Sequence, residues 1–530
     1  MQSIYHGQDE IELITYNNSP VYQKSGPVQN YDIRYTTTNN QKLTLADESD
    51  VAQHEFSSGV GYILLNANTP VPYQFFYNCT TLATVRYEDG VTFDSQGYQH
   101  DGCTSLISVT LPSDLTVVPT YCFKECYSLN SITLPSTVSA IYDYAFYECG
   151  HNNHNTGYYQ PDVKFTSATV PTASSVNAFM TETAVSVTAY NTIYKLVPYE
   201  SYPDYCVAQY WKVTNNYIDW YDDDNTDYES MPFYVENNTQ NVETVTLSKI
   251  SSDGDNGWLS QSSDRINWTT VGYLPDDVSN IAITLNPGQR IYLKCQAWFC
   301  YRIEGADTIG GNITSLCAIE PVNGIMPKTT AVHKCGAMFR KTSGKQGVVD
   351  ARNLVTRYVD YGLSGVEFAA TFSTLFGEHQ GPVDPDRDLV YAPKYMYLHE
   401  NAGREYMGTF AYCSSLTHTP KFIGSTASGS CFWKCFLGCT SLVAITPIPS
   451  ITAIVSASET NELFNNIFYN CTHLNFIKNK TNTSLFDSNI RDNMTFNIGQ
   501  NGCYVKNIND TLPTGSSGIP SSWTRLDATE

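Results

Sequence analysis

The residue types that could hold a metal, form a disulfide or supply a nucleophile are abundant here, and their spacing decides which chemistry is open to them. The chain of 530 residues carries 16 cysteines and 10 histidines. The densest run is CFWKCFLGC, with Cys431, Cys435 and Cys439 at i, i+4 and i+8. On a helix these thiols would meet on one face, as zinc ligands can. CGHNNH places Cys149, His151 and His154 at plausible ligand spacing, although its Gly and Asn content reads as a loop. DWYDDDNTDYESMP, from Asp219 to Pro232, sets Asp223, Asn225 and Asp227 where a calcium loop has its first ligands. It then puts Tyr228 where the turn needs Gly and Tyr234 where the loop needs Glu, so an EF-hand is rejected and the stretch reads as a linker. DPDRD, Asp384 to Asp388, has the composition of a turn. GVGYIL lacks the third glycine of a dinucleotide loop, and there is no Gly-x-Ser-x-Gly elbow, Walker A loop or His-Glu-x-x-His. Carboxylates are plentiful, but no pair is singled out for glycoside hydrolysis. The expectation is a protein that is not an enzyme, with no cofactor and no catalytic or metal site.

The cysteines make more sense as parts of a repeat. C-x-x-L occurs six times: Cys79/Leu82, Cys103/Leu106, Cys126/Leu129, Cys413/Leu416, Cys439/Leu442 and Cys471/Leu474. In the first set the steps from Cys79 to Cys149 are 24, 23 and 23 residues, and Pro112/Pro135 and Phe123/Phe146 keep the same register. A period in the low twenties is that of a leucine-rich repeat, whose turns bury their apolar edges only by stacking. Phe76, Phe123, Phe410, Phe436 and Phe468 stand three residues before the cysteine and complete a Phe-Cys-Leu core. Free cysteine behaves as a small buried hydrophobe, so core spacing is favoured over metal or disulfide. His100 takes the phenylalanine position of its repeat and reads as a packed or surface histidine rather than a ligand.

The unit resembles that of the BspA-like leucine-rich repeat family, F-x-x-C-x-x-L-x-x-V-x-L-P, most closely over Phe76–Val85, Phe123–Pro135 and Phe436–Ile445. Cys149 lacks the following Leu, and the second set widens to steps of 26 and 32 residues, which implies inserted loops. Residues 1–40 read as a β docking segment. IELITY, NNSP and VYQ form a meander, and Ile4, Tyr5, Ile11, Tyr16, Val21 and Tyr22 carry a likeness to a short leader of some phage structural proteins. Residues 41–215 read as a first array with caps, closed by VKFTSATVPTASSVNAF and YCVAQYW, which resemble the end of BspA-like arrays. Residues 216–313 hold the linker and alternating strands of a small antiparallel sandwich. It resembles a module placed before repeat arrays in proteins of gut Bacteroidetes and their phages. Residues 314–530 read as a second array, ending in CYVKNINDTLPTGSSGIPSSWT, which resembles the terminal cap. Residues 336–400 fit poorly and are read as a helix with a long insertion. The fold class expected is mainly β: two solenoid arrays separated by a sandwich, with a short N-terminal docking segment.

Thirty Lys and Arg stand against 52 Asp and Glu, a net charge of −22, which disfavours nucleic acid as a partner. No apolar run is long enough to insert in a membrane, and no secretory leader is visible. The reading preferred on sequence is a phage virion protein, a head or tail fibre or decoration, assembled in the host cytoplasm. Its partners would be other virion proteins through the N-terminus and a glycan or protein of the bacterial surface, with dimers or trimers multiplying weak contacts. The alternative is a bacterial cell-surface BspA-like adhesin.

Overall fold

Strand-forming residues in short alternating runs dominate the chain, and they fold as such. A computed structural model describes residues 31–150, 160–181, 193–211, 218–222, 226–228, 230–249, 257–274, 280–295, 301–313, 333–334, 338–339, 347–355, 366–367, 372, 388–398, 406–455, 462–482, 492–507, 509–510 and 512–528. It also gives the backbone of 3–6, 9–16 and 19–24. The protein is mainly β, with one short α-helix, Tyr202–Val207, among the described residues. It divides into two compact units: Met1–Thr183 with Asn191–Leu196, and Ala184–Tyr190 with Val197–Glu530.

In the first unit, Ser3–His6, Asp9–Tyr16 and Ser19–Lys24 form an antiparallel meander that pairs Ile4 with Ile11 and Ile14 with Val21. The side chains of Ile4, Tyr5, Ile11, Tyr16, Val21 and Tyr22, and with them the docking role read for those residues, lie outside the described residues. Ile33–Thr37, counted by sequence with the docking segment, is instead the central strand of a five-stranded sheet, because Ile33 and Tyr35 point into the core beneath it. That sheet is the N-terminal cap of the repeats. Leu82–Tyr87 pairs antiparallel with Ile33–Thr37 on one edge and parallel with Ser108–Thr110 on the other, so one strand converts a hairpin sheet into a solenoid. Ser131–Leu134 and Asp162–Phe165 continue in parallel, and Val117–Val118, Ala140–Ile141 and Thr172–Ala173 form a second parallel ladder.

Each turn bends through two left-handed positions, five and one residues before its cysteine. They are Tyr98 and Gly102 (φ 58° and 77°), Tyr121 and Glu125 (52° and 57°), and Tyr144 and Glu148 (57° and 51°). Tyr and Glu pay about 1–2 kcal/mol for this conformation. Hydrogen bonds to the next turn hold it: Tyr98 N donates to Thr120 O at 3.0 Å and Glu125 N to Tyr147 O at 2.9 Å. In the second array the Cys413 turn uses Gly408 and Tyr412, the Cys439 turn Lys434 and Gly438, and the Cys471 turn Asn466 and Asn470, a residue that tolerates this region better.

The second unit includes Tyr199–Trp211, which by sequence belongs to the first array. Its tyrosines explain the placement: buried Tyr199 and Tyr202 donate to Ala392 O (3.5 Å) and Ile445 O (3.3 Å), both in the second unit. The sandwich follows. Its six-stranded sheet ends with Thr308–Asn312 and Asp350–Val355 in parallel, and Ile281–Leu285, Glu243–Lys249 and Tyr301–Glu304 form the facing sheet. A single apolar core runs from Phe233 in the sandwich to Trp523 at the far end of the repeats. The array continues through Tyr395–Tyr397 with Lys421–Ile423, Thr426–Ser428 with Ala453–Val455, and Phe476–Asn479 with Cys503–Asn507 and Thr524–Ala528. Within 336–400 the described residues show strands such as Asp350–Val355 and no helix; the rest of that insertion lies outside them. Trp523 closes the stack, its Nε1 donating to Gly499 O at 2.8 Å and its ring occupying the space a side chain at Gly502 would need.

Candidate ligand cleft and the sequestered spine

The Phe-Cys-Leu residues are core. Phe76, Cys79, Leu82, Cys103, Leu106, Phe123, Cys126 and Leu129 in the first array are buried, as are Phe410, Cys413, Leu416, Phe436, Cys439, Leu442, Phe468, Cys471 and Leu474 in the second. The phenylalanines stack face to face. Phe123 and Phe146 are 5.7 Å apart at 16°, Phe410 and Phe436 5.4 Å at 6°, and Phe436 and Phe468 6.0 Å at 12°. Phe339 and Phe372 extend the second ladder back to Phe233, two rungs that sequence reasoning missed. Phe339 carries no C-x-x-L after it in the sequence, and neither does Phe372.

The thiols do more than fill space. Cys103 Sγ donates to Phe76 O at 3.1 Å, Cys126 to His100 O at 3.3 Å, Cys439 to Phe410 O at 3.0 Å and Cys471 to Phe436 O at 3.0 Å. Each cysteine thus gives the carbonyl of the preceding rung a second donor, beside the backbone N–H that it already accepts, such as Cys413 N to Phe410 O at 3.0 Å. Burial pushes these thiols upward, Cys471 to about 12 and Cys79 to about 11, so none is a ready thiolate for metal or nucleophilic work. Cys431–Cys439 is a run of turns rather than a helix, and the shared thiol face does not form. Cys149 is buried, its Sγ donating to Leu129 O at 3.6 Å, while His151 and His154 lie outside the described residues. No group of three His, Cys, Asp or Glu able to hold a metal occurs among the described residues.

His100 is a rung of the ladder. Its ring lies 5.7 Å from Phe76 and 4.8 Å from Phe123, nearly parallel to both, with Nε2 2.7 Å from Tyr87 Oη and Nδ1 3.2 Å from Cys122 O. Complete burial lowers its pKa to about 3.

The space for a ligand lies elsewhere. Asp350–Val355 pairs with Thr308–Asn312 along one edge. Along the other edge Ala351 N donates to Tyr391 O (2.9 Å) and Lys394 N to Arg352 O (3.2 Å). Past Lys394 the chain pairs instead with Lys421–Ile423, and between residues 353–355 and 395–397 a cavity of about 320 Å³ opens, flanked by Asp222 and Thr226–Tyr228. Its cations are committed. Lys394 Nζ sits 2.8 Å from both carboxylate oxygens of Asp222. Arg352 bonds Asp350 (2.8 Å) and Glu200 (3.0 Å) while its guanidinium lies 4.1 Å over the Tyr391 ring. Asp222 and its neighbour Asp219, which pairs with Lys421 at 2.8 Å, are therefore ion-pair partners rather than calcium ligands; Asp223 and Asn225 lie outside the described residues. Asp227 Oδ1 accepts from Ser230 N at 3.2 Å, a turn contact. Tyr395 borders the cavity, packed on Trp220 at 5.3 Å and partly exposed, and burial beside Asp222 and Asp219 raises its hydroxyl to about 12. Asn353 Nδ2 donates to Tyr234 Oη at 3.4 Å; its Oδ1 is buried with no hydrogen-bond partner among the described residues. Asn353, Lys394 and Tyr395 were not singled out by sequence, because the cleft joins residues about 40 apart with a third segment, 222–228, more than a hundred residues before them.

Residues 53–158 match the BspA type leucine rich repeat region, in six copies. The BspA-type match covers part of the first array and stops short of the sandwich and the second array. No curated protein matches the chain. Among solved structures, a leucine rich cell surface protein from Faecalibacterium prausnitzii A2-165 aligns over 90% of this chain and 95% of its own. The identity is 14% and the TM-score 0.16, too low to carry an argument. Neither comparison links the chain to a phage particle. No helix among the described residues is long and apolar enough to cross a membrane.

Proposed function

We propose that the protein is a non-catalytic adhesion or interaction protein of a bacterial cell surface, working through its repeat and sandwich surfaces. The observation that carries this reading is the fate of the reactive side chains. The described spine cysteines and His100 are sealed in the stack, while Tyr73, Tyr77 and Tyr142 on the BspA-type region face solvent. Aromatic rings with polar tips suit wet, reversible contacts with a glycan or protein. Individually weak contacts become firm when copies act together, so a homo-oligomer or a crowded surface fits the proposal.

Nothing in the fold or in the likenesses favours the virion component preferred on sequence, and it becomes an outcome of the test. Immunogold labelling with antibody to this chain is applied to intact bacteria free of phage and to purified phage particles. Gold on the bacterial surface is the expected result. Gold confined to particles overturns the surface reading and restores the fibre or decoration reading, with the N-terminal segment as its docking element.

A further inference from the structure

We infer that the cleft between Asp350–Val355 and Tyr395–Tyr397 binds a neutral sugar, the terminal residue of a glycan; this rests on the adhesion reading and names its ligand. Four observations point there. The cavity, about 320 Å³, lies at the lower end of the range for small-molecule sites, so it suits a short saccharide end rather than a folded partner. Asn353 lines the cavity and its Oδ1 is buried without a partner among the described residues, a costly state that a turn of the amide toward a ligand donor would relieve. Every sugar hydroxyl can donate. The third observation is charge. Lys394 and Arg352, the cations of the lining, are held at 2.8 Å by Asp222 and Asp350, so an anionic ligand would have to compete with built ion pairs in a chain of net charge −22. The fourth is the aromatic content: Tyr228, Tyr395 and Tyr397 line the same space, pairing apolar ring surface with hydroxyls, as the two faces of a pyranose require.

The alternatives fit less well. A divalent cation would find Asp222 already paired with Lys394, and Asp227 does not complete a group of three ligands among the described residues. A hydrophobic ligand would leave Asn353 Oδ1 unpaired.

The test is saturation-transfer NMR and calorimetry on the full chain, with methyl glycosides of glucose, galactose, mannose and N-acetylglucosamine as probes and glucuronic acid as the charged comparator, repeated with EDTA. At least one neutral glycoside is expected to bind, unaffected by EDTA. Asn353→Ala and Tyr395→Ala are each expected to weaken it about tenfold or more, and Asn353→Asp, which keeps the volume, should weaken it too. Ile107→Ala, at an exposed position of the other unit, is the control and should bind normally. Circular dichroism melts confirm that the variants fold. Binding of glucuronic acid alone, binding abolished by EDTA, binding indifferent to both Asn353 substitutions, or no binding by any probe each overturns the assignment. Attachment of labelled protein to bacterial cells is measured in parallel. Attachment without sugar binding removes the cleft and leaves the adhesion reading standing; sugar binding without attachment does the reverse.

Discussion

The two ladders are built from the same rung and differ in what lies between rungs. In the first unit successive aromatic positions, Phe76, His100, Phe123 and Phe146, are 23 or 24 residues apart; in the second, Phe372, Phe410, Phe436 and Phe468 are 26 to 38 apart. Yet the ring separations hardly change, 4.8–5.7 Å in the first and 5.4–6.0 Å in the second. Stacking and the parallel strand spacing fix the rise per turn, whatever the length of chain between rungs. The widest spacing, Phe372 to Phe410, includes the strand Tyr395–Tyr397 that borders the cleft, whereas the regular array spends every residue on the turn.

The largest effect should come from removing a rung. Phe436 is sandwiched between Phe410 and Phe468 at 5.4 and 6.0 Å and is buried. Phe436→Ala is expected to cost about 3–5 kcal/mol. Because one core joins the sandwich to the repeats, the sandwich should lose stability with the array. Hydrogen exchange on Val245 and Leu247 in the sandwich checks this; unchanged protection there would break the shared-core account.

Next comes the rung that differs, His100. In the unfolded chain its imidazole titrates near 6.5, and in the fold it stays neutral down to about 3. Between those values the unfolded state holds more protons, so the contribution of His100 to stability is intact above pH 6.5. It falls as the pH drops, by up to about 1.4 kcal/mol per unit. His54 and His418 are lowered in the same direction, so the substitution rather than the raw profile isolates His100. His100→Phe should flatten the acid limb of the curve. It should also cost about 1–3 kcal/mol at pH 7, because buried Tyr87 Oη loses its partner. Adding Tyr87→Phe should recover most of that loss. Additive losses in the double variant would mean that the 2.7 Å contact carries no coupling.

How much of this was legible in sequence depends on where the signal sits. The rungs beginning Phe76, Phe123, Phe410, Phe436 and Phe468 were readable because core, turn and strand follow one another within a dozen residues. Phe339 and Phe372 kept their place in the stack but lost the Cys and Leu that mark it. The thiol-to-carbonyl bonds were invisible because each partner sits a full repeat away, as were the packing of Tyr199 and Tyr202 on the second unit and the cleft around Asn353. Left-handed Tyr98, Tyr121 and Tyr144 were also hidden. Tyrosine does not advertise that conformation, and inter-turn hydrogen bonds, not propensity, impose it.

The cysteine donors separate space-filling from bonding. Cys439→Ala removes volume and one of the two donors to Phe410 O, which keeps Cys413 N at 3.0 Å, at an expected cost of about 1–3 kcal/mol. Cys439→Ser keeps a donor, and its cost should be smaller by about 1 kcal/mol. Chemical denaturation of the pair decides the order; serine as damaging as alanine would make these thiols fillers after all.

Smaller still is the effect expected of lengthening a turn of the regular array. A Cβ at Gly90 meets nothing within 4 Å, so five Gly/Ser residues inserted after it should stay outside the stack and cost less than about 1 kcal/mol by thermal melt. A large loss would show that the regular array cannot accept what the second array does.

The smallest effect, none, is expected of metal removal, and it is the one that tells two kinds of cysteine repeat apart. A structural zinc site contributes most of the folding free energy of the segment it ties, so a chelator would unfold it. The CFWKCFLGC stretch cannot supply such a site in this fold. Cys439 is engaged with Phe410 O, Cys435 is buried with a strongly raised thiol, and the turns that carry Cys431, Cys435 and Cys439 are spaced by stacked Phe432 and Phe436. The melting temperature should therefore be the same with and without EDTA or phenanthroline, in wild type and in Cys435→Ala alike. A fall in wild type that Cys435→Ala abolishes would mean that the thiols, and not the rings, hold the second array together.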